Sequence, residues 1–296
     1  MARILCIGDA MLDVVVLIDS DIHYGSDTPA HITTHGGGAA ANTATWMAHE
    51  GHQIFFVSRI GNDAAGSAVL SELDTWQIKH KDMSHVKGKT GVVVVIVDKT
   101  GQRTMFPDSG VNSGLGVDDL PPLENFDAAF LSGYSLFNPH STPGVSEIIA
   151  EIKSAKIPLF FDPASVGTMS HFNRDRALSH LKLMDVILPN EEEALFLTNQ
   201  NDIEVAIQEL QKRCPVVVVK RGDKGAMAVA HGSKIITSPV EKVDPLDTTG
   251  AGDAFAAGFI PQWIASKELR EAMDAGNELA RQCVAIIGAR PSVNPQ

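Results

Sequence analysis

The string Asp247-Thr-Thr-Gly-Ala-Gly-Asp-Ala-Phe-Ala-Ala-Gly258 carries the most chemistry in this chain. Gly250 and Gly252 permit a tight turn, and the small and apolar residues after Asp253 start a helix that can pack closely. The first backbone N–H groups of such a helix have no intrahelical acceptors and sit at the positive end of its dipole, so they attract an anion, above all a phosphate. A carboxylate there repels the anion if holding it is the only task. As a base it has a use: Asp253 can orient and deprotonate an alcohol while the amides of Gly250, Ala251 and Gly252 neutralise charge on a transferred phosphoryl group. The plainer reading, an N-terminal helix acid favoured by the dipole, suits an isolated G-x-G-D better than it suits twelve residues of this composition.

A second glycine string, Gly36-Gly-Gly-Ala-Ala-Ala-Asn-Thr-Ala44, lets backbone approach a polyol closely, and Asn42 can both donate and accept hydrogen bonds. It also fits the dinucleotide pattern G-x-G-x-x-A. That reading is weakened because the glycines follow the polar HITTH, and because Ser58-Arg59 stands where an acidic residue should end the strand Ile54–Val57. Asp9 and Asp13 are read as closing the first strand, where ligands gather at the carboxyl ends of a parallel sheet, with a turn cap as the alternative for Asp9. Asn190 and Glu193 open a helix after Pro189, three residues apart and on one face, which also suits mutual capping.

Taken in chain order, Gly8–Asp13, the Gly36 string, Asn190-Glu-Glu-Glu193 and the Asp247 string resemble the motifs of the ribokinase-like, PfkB-type carbohydrate kinases, and the resemblance spans nearly the whole chain. It implies a three-layer α/β/α fold with a mostly parallel central sheet and a small β-sheet lid. It implies Asp253 as catalytic base, with Asp9, Asp13, Gly37, Gly38, Asn42 and the lid residue Arg103 on the sugar. ATP would be held by Asn190, Lys220, Gly222, Gly225 and Asn277, with Lys220 where many relatives have Thr. Mg²⁺ would be held through water by Glu193, and K⁺ by Asp247, Thr249, Gly288 and Ser292. Asp108-Ser-Gly-Val-Asn112 departs from the common D-R-G-A-N; losing that Arg favours neutral hydroxyls over a sugar carboxylate.

The elements that must position these residues are legible as patterns. Short apolar runs recur at Ile4–Ile7, Ile54–Val57, Val92–Val97, Ala128–Leu131, Leu159–Phe161, Val186–Leu188 and Val216–Val219. Helical patterns at Ala39–Glu50, Ala64–Trp76, Val145–Ala155, Glu191–Leu197 and Ile203–Lys212 lie among them, which predicts a parallel sheet covered on both faces. From Thr249 the chain reads as helical apart from a turn near Gly288. The β-like stretches within about residues 13–35 and 88–112 lack an intervening helix, and predict a small sheet that either caps an edge or serves as a lid. No repeat or Pro/Ser-rich linker divides residues 1–296, so a single domain is expected.

A net charge of −12 on 296 residues excludes a sequence-independent grip on nucleic acid, which needs a basic stripe. Three scattered cysteines favour a reduced, cytoplasmic chain, and neither a signal peptide nor a run of about 20 apolar residues points to a membrane. Between Arg3 and Arg59 there is no Lys or Arg, so the first half of the sugar pocket lacks a cation for a phosphorylated substrate. The expected activity is therefore ATP-dependent phosphorylation of a primary hydroxyl on an unphosphorylated sugar. A nucleoside kinase of the same family and a non-catalytic sugar or nucleotide sensor are the alternatives, with a nicotinamide enzyme more remote. Pairing of two copies through the lid strands is the family's familiar arrangement.

Overall fold

A computed structural model describes residues 1–81 and 87–291. In chain order the strands are β1 (Arg3–Ile7), β2 (Met11–Leu17), β3 (His31–Gly37), β4 (Gln53–Val57), β5 (Lys79–His80), β6 (Gly91–Val97) and β7 (Arg103–Asp108). They continue as β8 (Ala128–Ser132), β9 (Leu159–Asp162), β10 (Val186–Ile187), β11 (Val216–Lys220), β12 (Ala226–Ala230) and β13 (Ile236–Ser238). The helices are α1 (Ala39–His49), α2 (Ala64–Thr75), α3 (Gly133–Leu136), α4 (Thr142–Ser154) and α5 (Val166–Phe172). After these come α6 (Arg174–His180), α7 (Glu191–Thr198), α8 (Ile203–Gln211), α9 (Ala251–Ser266) and α10 (Leu269–Val284).

The large sheet runs β13-β12-β11-β10-β9-β8-β1-β4-β5, parallel from β5 to β11 and antiparallel in the terminal β11–β12–β13 meander. Its strands are apolar at successive positions because both faces are covered. Ile4, Cys6, Phe56, Phe130 and Val218 pack with α1, α2, α9 and α10 on one face. Leu5, Ile7, Leu131, Phe161 and Val219 pack with α4, α7 and α8 on the other. This is the three-layer arrangement expected from the apolar runs.

The second sheet, β3-β2-β6-β7, is mixed: β2 lies parallel to β6, and the two outer pairs are antiparallel. Its strands begin at Met11 and reach Gly37, so they extend beyond the 13–35 boundaries read from the sequence. Asp13 therefore lies within β2, opposite His35 of β3 and Val93 of β6, and does not close β1. Two side chains fasten the root of this sheet. Asn112 clasps the backbone of Ala10, donating to its carbonyl at 2.9 Å and accepting from its amide at 3.3 Å, while Ser58 Oγ donates to Asn112 Oδ1 at 2.9 Å. Asp63 caps α2 through the Gly66 amide at 2.8 Å and accepts from the Thr90 hydroxyl at 2.6 Å beside β6. Among the described residues no helix is long and apolar enough to cross a membrane.

Candidate active site

The carboxyl ends of β1, β9 and β11 converge on the amino terminus of α9. Gly250 caps this helix with φ +78°, and a Cβ there would lie 2.7 Å from Ala289, so both its left-handed backbone and the close approach of residue 289 require glycine. Asp253 follows in the first turn, and Asn42 Nδ2 of α1 donates to its Oδ2 at 2.9 Å. Burial raises the Asp253 carboxyl to about 7, aided by the charges of Asp162 and Asp9 against the pull of Asn42 and Lys220. A base of that affinity accepts a proton readily at neutral pH.

Lys220 ends β11 and forms an ion pair with Asp162 at the end of β9. Its Nζ lies over Gly252, 3.1 Å from where a side chain at that glycine would begin. Burial works to lower the Lys220 pKa, but the charges of Asp162 and Glu193 outweigh it and the net direction is upward. The ammonium stays charged at the mouth of the helix. It thus faces the start of α9 beside Asp253, away from the Gly222–Gly225 turn that follows it in sequence. Asp162 was missed, although a carboxylate closing an apolar parallel strand is the signal that had singled out Asp9.

Asn190 and Glu193 form a reciprocal cap at the start of α7. The Glu193 amide donates to Asn190 Oδ1, and the Asn190 amide and Nδ2 donate to the Glu193 carboxylate, each at 2.8 Å. Glu193 is buried, and burial together with the Asp162 charge pushes its carboxyl up.

In the glycine string, Gly37 packs against the Asp13 carboxyl, Gly38 lies against the Asp9 backbone, and Asn42 reaches Asp253. Asp13 Oδ1 is buried without a hydrogen-bond partner, and burial raises the group to about 6 against the opposing charge of Arg290. An orphaned acceptor of this kind is suited to a ligand hydroxyl. Asp9 accepts from the Ala39 amide at 2.8 Å and the Ala40 amide at 3.5 Å, so it caps α1 as well as bordering the pocket. The first half of the chain brings no cation here, but Arg290 arrives from beyond α10 and is buried beside Asn42 and Gly37.

Gly222 and Gly225 sit in the β11–β12 connection, and Gly225 packs on the Ser238 carbonyl. Asn277 of α10 donates to the same carbonyl at 3.1 Å, which brings Gly225 and Asn277 together at Ser238 of β13, whereas the side chains of Lys220 and Asn190 lie apart from them, on Asp162 and Glu193. Asp247 Oδ1 accepts from the Thr249 amide at 2.8 Å and Oδ2 from the Gly288 amide at 3.0 Å. Ser292 lies outside the described residues. Arg103 does not join the sugar residues: from the tip of the small sheet it reaches Asp247, at 2.6 Å, and the Thr249 hydroxyl. These contacts and burial's opposing push leave the Asp247 carboxyl lowered to about 2.

A doubly covered α/β sheet that brings a buried carboxyl of raised proton affinity, an ammonium and a helix start together at its carboxyl edge suits a phosphotransferase acting on an alcohol. The chain belongs to the pfkB family of carbohydrate kinases, whose model matches residues 1–296, and it is an ATP-dependent kinase of that family. It is 28% identical over 295 residues to a ribokinase of Bacillus subtilis, covering 98% of this chain and 95% of the relative. It is also 28% identical over 298 residues to an ATP-dependent ribose-1-phosphate kinase of Halopiger xanaduensis, covering 98% and 94%. Arabidopsis thaliana ribokinase complexed with ribose and ATP superposes with a TM-score of 0.83 at 27% identity, over 97% of this chain and 94% of that one.

Kinases of this family use ATP, generally with Mg²⁺. Among the described residues no three His, Cys, Asp or Glu side chains are arranged to hold a metal directly. Asp162, Glu193 and Asp253 nevertheless all act on the one ammonium of Lys220, and Asp9 adds its charge beside Asp253. That excess of negative charge fits a divalent cation retained in its water shell.

Proposed function

We propose that the protein transfers the γ-phosphoryl group of ATP to a primary hydroxyl of an unphosphorylated sugar. The hydrogen bond from Asn42 to Asp253 carries this reading, because it joins the glycine loop that faces a polyol to the helix start that faces a phosphate. The sugar hydroxyls would meet Asp13, whose Oδ1 awaits a donor, together with Asn42 and the Gly37–Gly38 backbone. Asp253 takes the proton of the attacking hydroxyl. The 250–252 amides and Lys220 meet the oxygens of the phosphoryl group as it moves. Asn190 and Glu193 would hold Mg²⁺ through its waters, where it neutralises phosphate charge. The small sheet closes over the site and excludes water that would otherwise hydrolyse ATP.

Arg290 supplies a cation to the sugar side, but its Nε and Nη2 are taken by Asn42 and Gly37 and its charge is offset by Glu72, which supports a neutral substrate. Incubation with ATP·Mg²⁺ and a panel of pentoses, hexoses, nucleosides and sugar phosphates, followed by ADP release, tests the proposal. ADP release on free sugars is expected. Turnover confined to sugar phosphates such as fructose 6-phosphate or ribose 1-phosphate overturns the substrate class, turnover confined to nucleosides moves the activity to the nucleoside branch, and none at all leaves a sensor.

Asp247 gathers Thr249 and Gly288 through their amides, which supports a K⁺ site here, since oxygen donors suit that ion. Held there, K⁺ would draw in the carbonyls of the turn and aim its amides at the phosphoryl group. Exchanging K⁺ for Na⁺ or tetramethylammonium is expected to depress turnover. Equal rates in all three salts would refute the assignment and leave Arg103 as the charge that neutralises Asp247. The exposed Leu17, Ile32, Met105 and Phe106 on the small sheet support pairing with a second copy. Cys6, Cys214 and Cys283, unpaired and buried, support a reducing cytoplasmic setting.

A further inference from the structure

Arg290 ties together three elements that are distant in sequence, two by hydrogen bonds and the third by an ion pair in which Nη1 makes no hydrogen bond. Nε donates to Asn42 Oδ1 of α1 at 2.9 Å, Nη2 donates to the Gly37 carbonyl of β3 at 2.7 Å, and Nη1 pairs with Glu72 Oε1 of α2 at 2.9 Å. The pair with Glu72 passes directly over Gly36, where a Cβ would lie 2.0 Å from Glu72 Oε2 and 2.1 Å from Arg290 Nη1. The segment carrying Arg290 is itself fixed at both preceding residues, by the Gly288 amide on Asp247 and by Trp46 Nε1 donating to the Ala289 carbonyl at 2.9 Å.

An asparagine amide has two nearly isosteric ends, one that only accepts and one that only donates. A guanidinium can only donate, so its Nε selects the oxygen of Asn42 and turns the nitrogen toward Asp253. We propose that Arg290 is a positioning residue for the catalytic base, holding the Asn42 amide in the orientation that donates to Asp253 while its second arm fixes the Gly37 backbone. This rests on Asp253 acting as the base. Without Arg290 the amide is free to flip, which presents an oxygen to the carboxylate and loosens the glycine loop at the same time.

The test is a double-mutant cycle on kcat, using ATP·Mg²⁺ and the best acceptor among D-ribose, D-fructose, adenosine and cytidine. Arg290→Met and Asn42→Ala are each expected to lower kcat about tenfold or more, the scale of a misplaced reacting group. The double variant should fall no more than about twofold below the slower single, because both changes remove one path. KM for ATP should stay within about twofold, and Arg290→Lys should recover part of kcat by supplying one donor. Glu72→Gln, which leaves the Nε bond intact, should cost little turnover. If Arg290→Met does not fold, Arg290→Gln in a Glu72→Gln background replaces it in the cycle and leaves no charge unpaired.

Losses that multiply in the double variant overturn the proposal. So does a near-normal kcat in the Arg290 variant with only a lower Tm, which would make the arginine a purely structural tie. Asp253→Asn run in parallel separates the two readings: if it keeps its turnover, the base assignment has failed, whatever Arg290 does.

Discussion

Asp253→Asn is expected to cut kcat by about 10²–10⁴-fold, the range for a positioned acid–base group, while making the ligand-free protein more heat-stable at pH 8. The two effects share one cause. Burial raises the Asp253 carboxyl from 3.8 to about 7, so the folded protein binds that proton more tightly than the unfolded chain. A group raised in this way contributes stability that is fully present below pH 3.8 and lost as pH rises through about 7. The whole difference converts to about 4 kcal/mol, and the partial opening of the carboxyl to the cleft reduces it to roughly 1–2 kcal/mol. The neutral amide removes this cost, so Tm at pH 8 should rise by a few degrees, with a smaller gain at pH 5. In the wild type, kcat/KM for the acceptor should fall as pH drops below about 7, because only the ionised base can take the hydroxyl proton. A variant of near-normal turnover, or one whose Tm gain over wild type is no larger at pH 8 than at pH 5, contradicts the strained-base account.

That strain follows from how the site is assembled. A carboxylate at a helix start would be comfortable in water, but this one shares its recess with Asp162 and Asp9 and receives a single side-chain hydrogen bond. If Asp253 is the base, as proposed, the protein holds it destabilised in the resting state, a familiar exchange of stability for activity. Asp13 repeats the pattern on the sugar side, where a buried oxygen without a partner waits for a donor.

What could be read from sequence was whatever the chain states locally. The Asp247–Gly258 string holds the turn, the anion-binding amides and the base within one helix start, so its geometry needs no knowledge of the rest of the fold. The strands β1, β8, β9 and β11 were legible because a doubly covered parallel strand is apolar at successive positions. The short helices α5 and α6 went unread, since each is seven residues long and presents little periodicity. The contacts that complete the site lie beyond such reading. Arg290 meets Asn42 across 248 residues, and Arg103 meets Asp247 across 144. The assignment of Arg103 to the sugar came from its place in a lid segment; where the tip of that sheet comes down is set by the clasp of Asn112 on Ala10 and by the strand register, and neither is visible locally.

The neighbours of Lys220, Asp162 and Gly252, come from distant parts of the chain, and Lys220→Met should show what they make of it. Loss of an ammonium aimed at the phosphoryl group is expected to lower kcat by about 10²–10³-fold, comparable to removal of one oxyanion donor. The same change strands the buried Asp162 carboxylate, and breaking a buried pair from one side destabilises a protein by about 3–5 kcal/mol. A slow variant could therefore be a poorly folded one. The double variant Asp162→Asn, Lys220→Met distinguishes these cases, because it removes both charges together and restores most of the lost stability without restoring a cation to the anion hole. Thermal unfolding near the wild-type temperature with kcat still depressed places Lys220 on the phosphoryl group. Recovery of turnover together with stability would make Lys220 no more than the counter-ion of Asp162, and the helix amides would then meet the phosphoryl group without it.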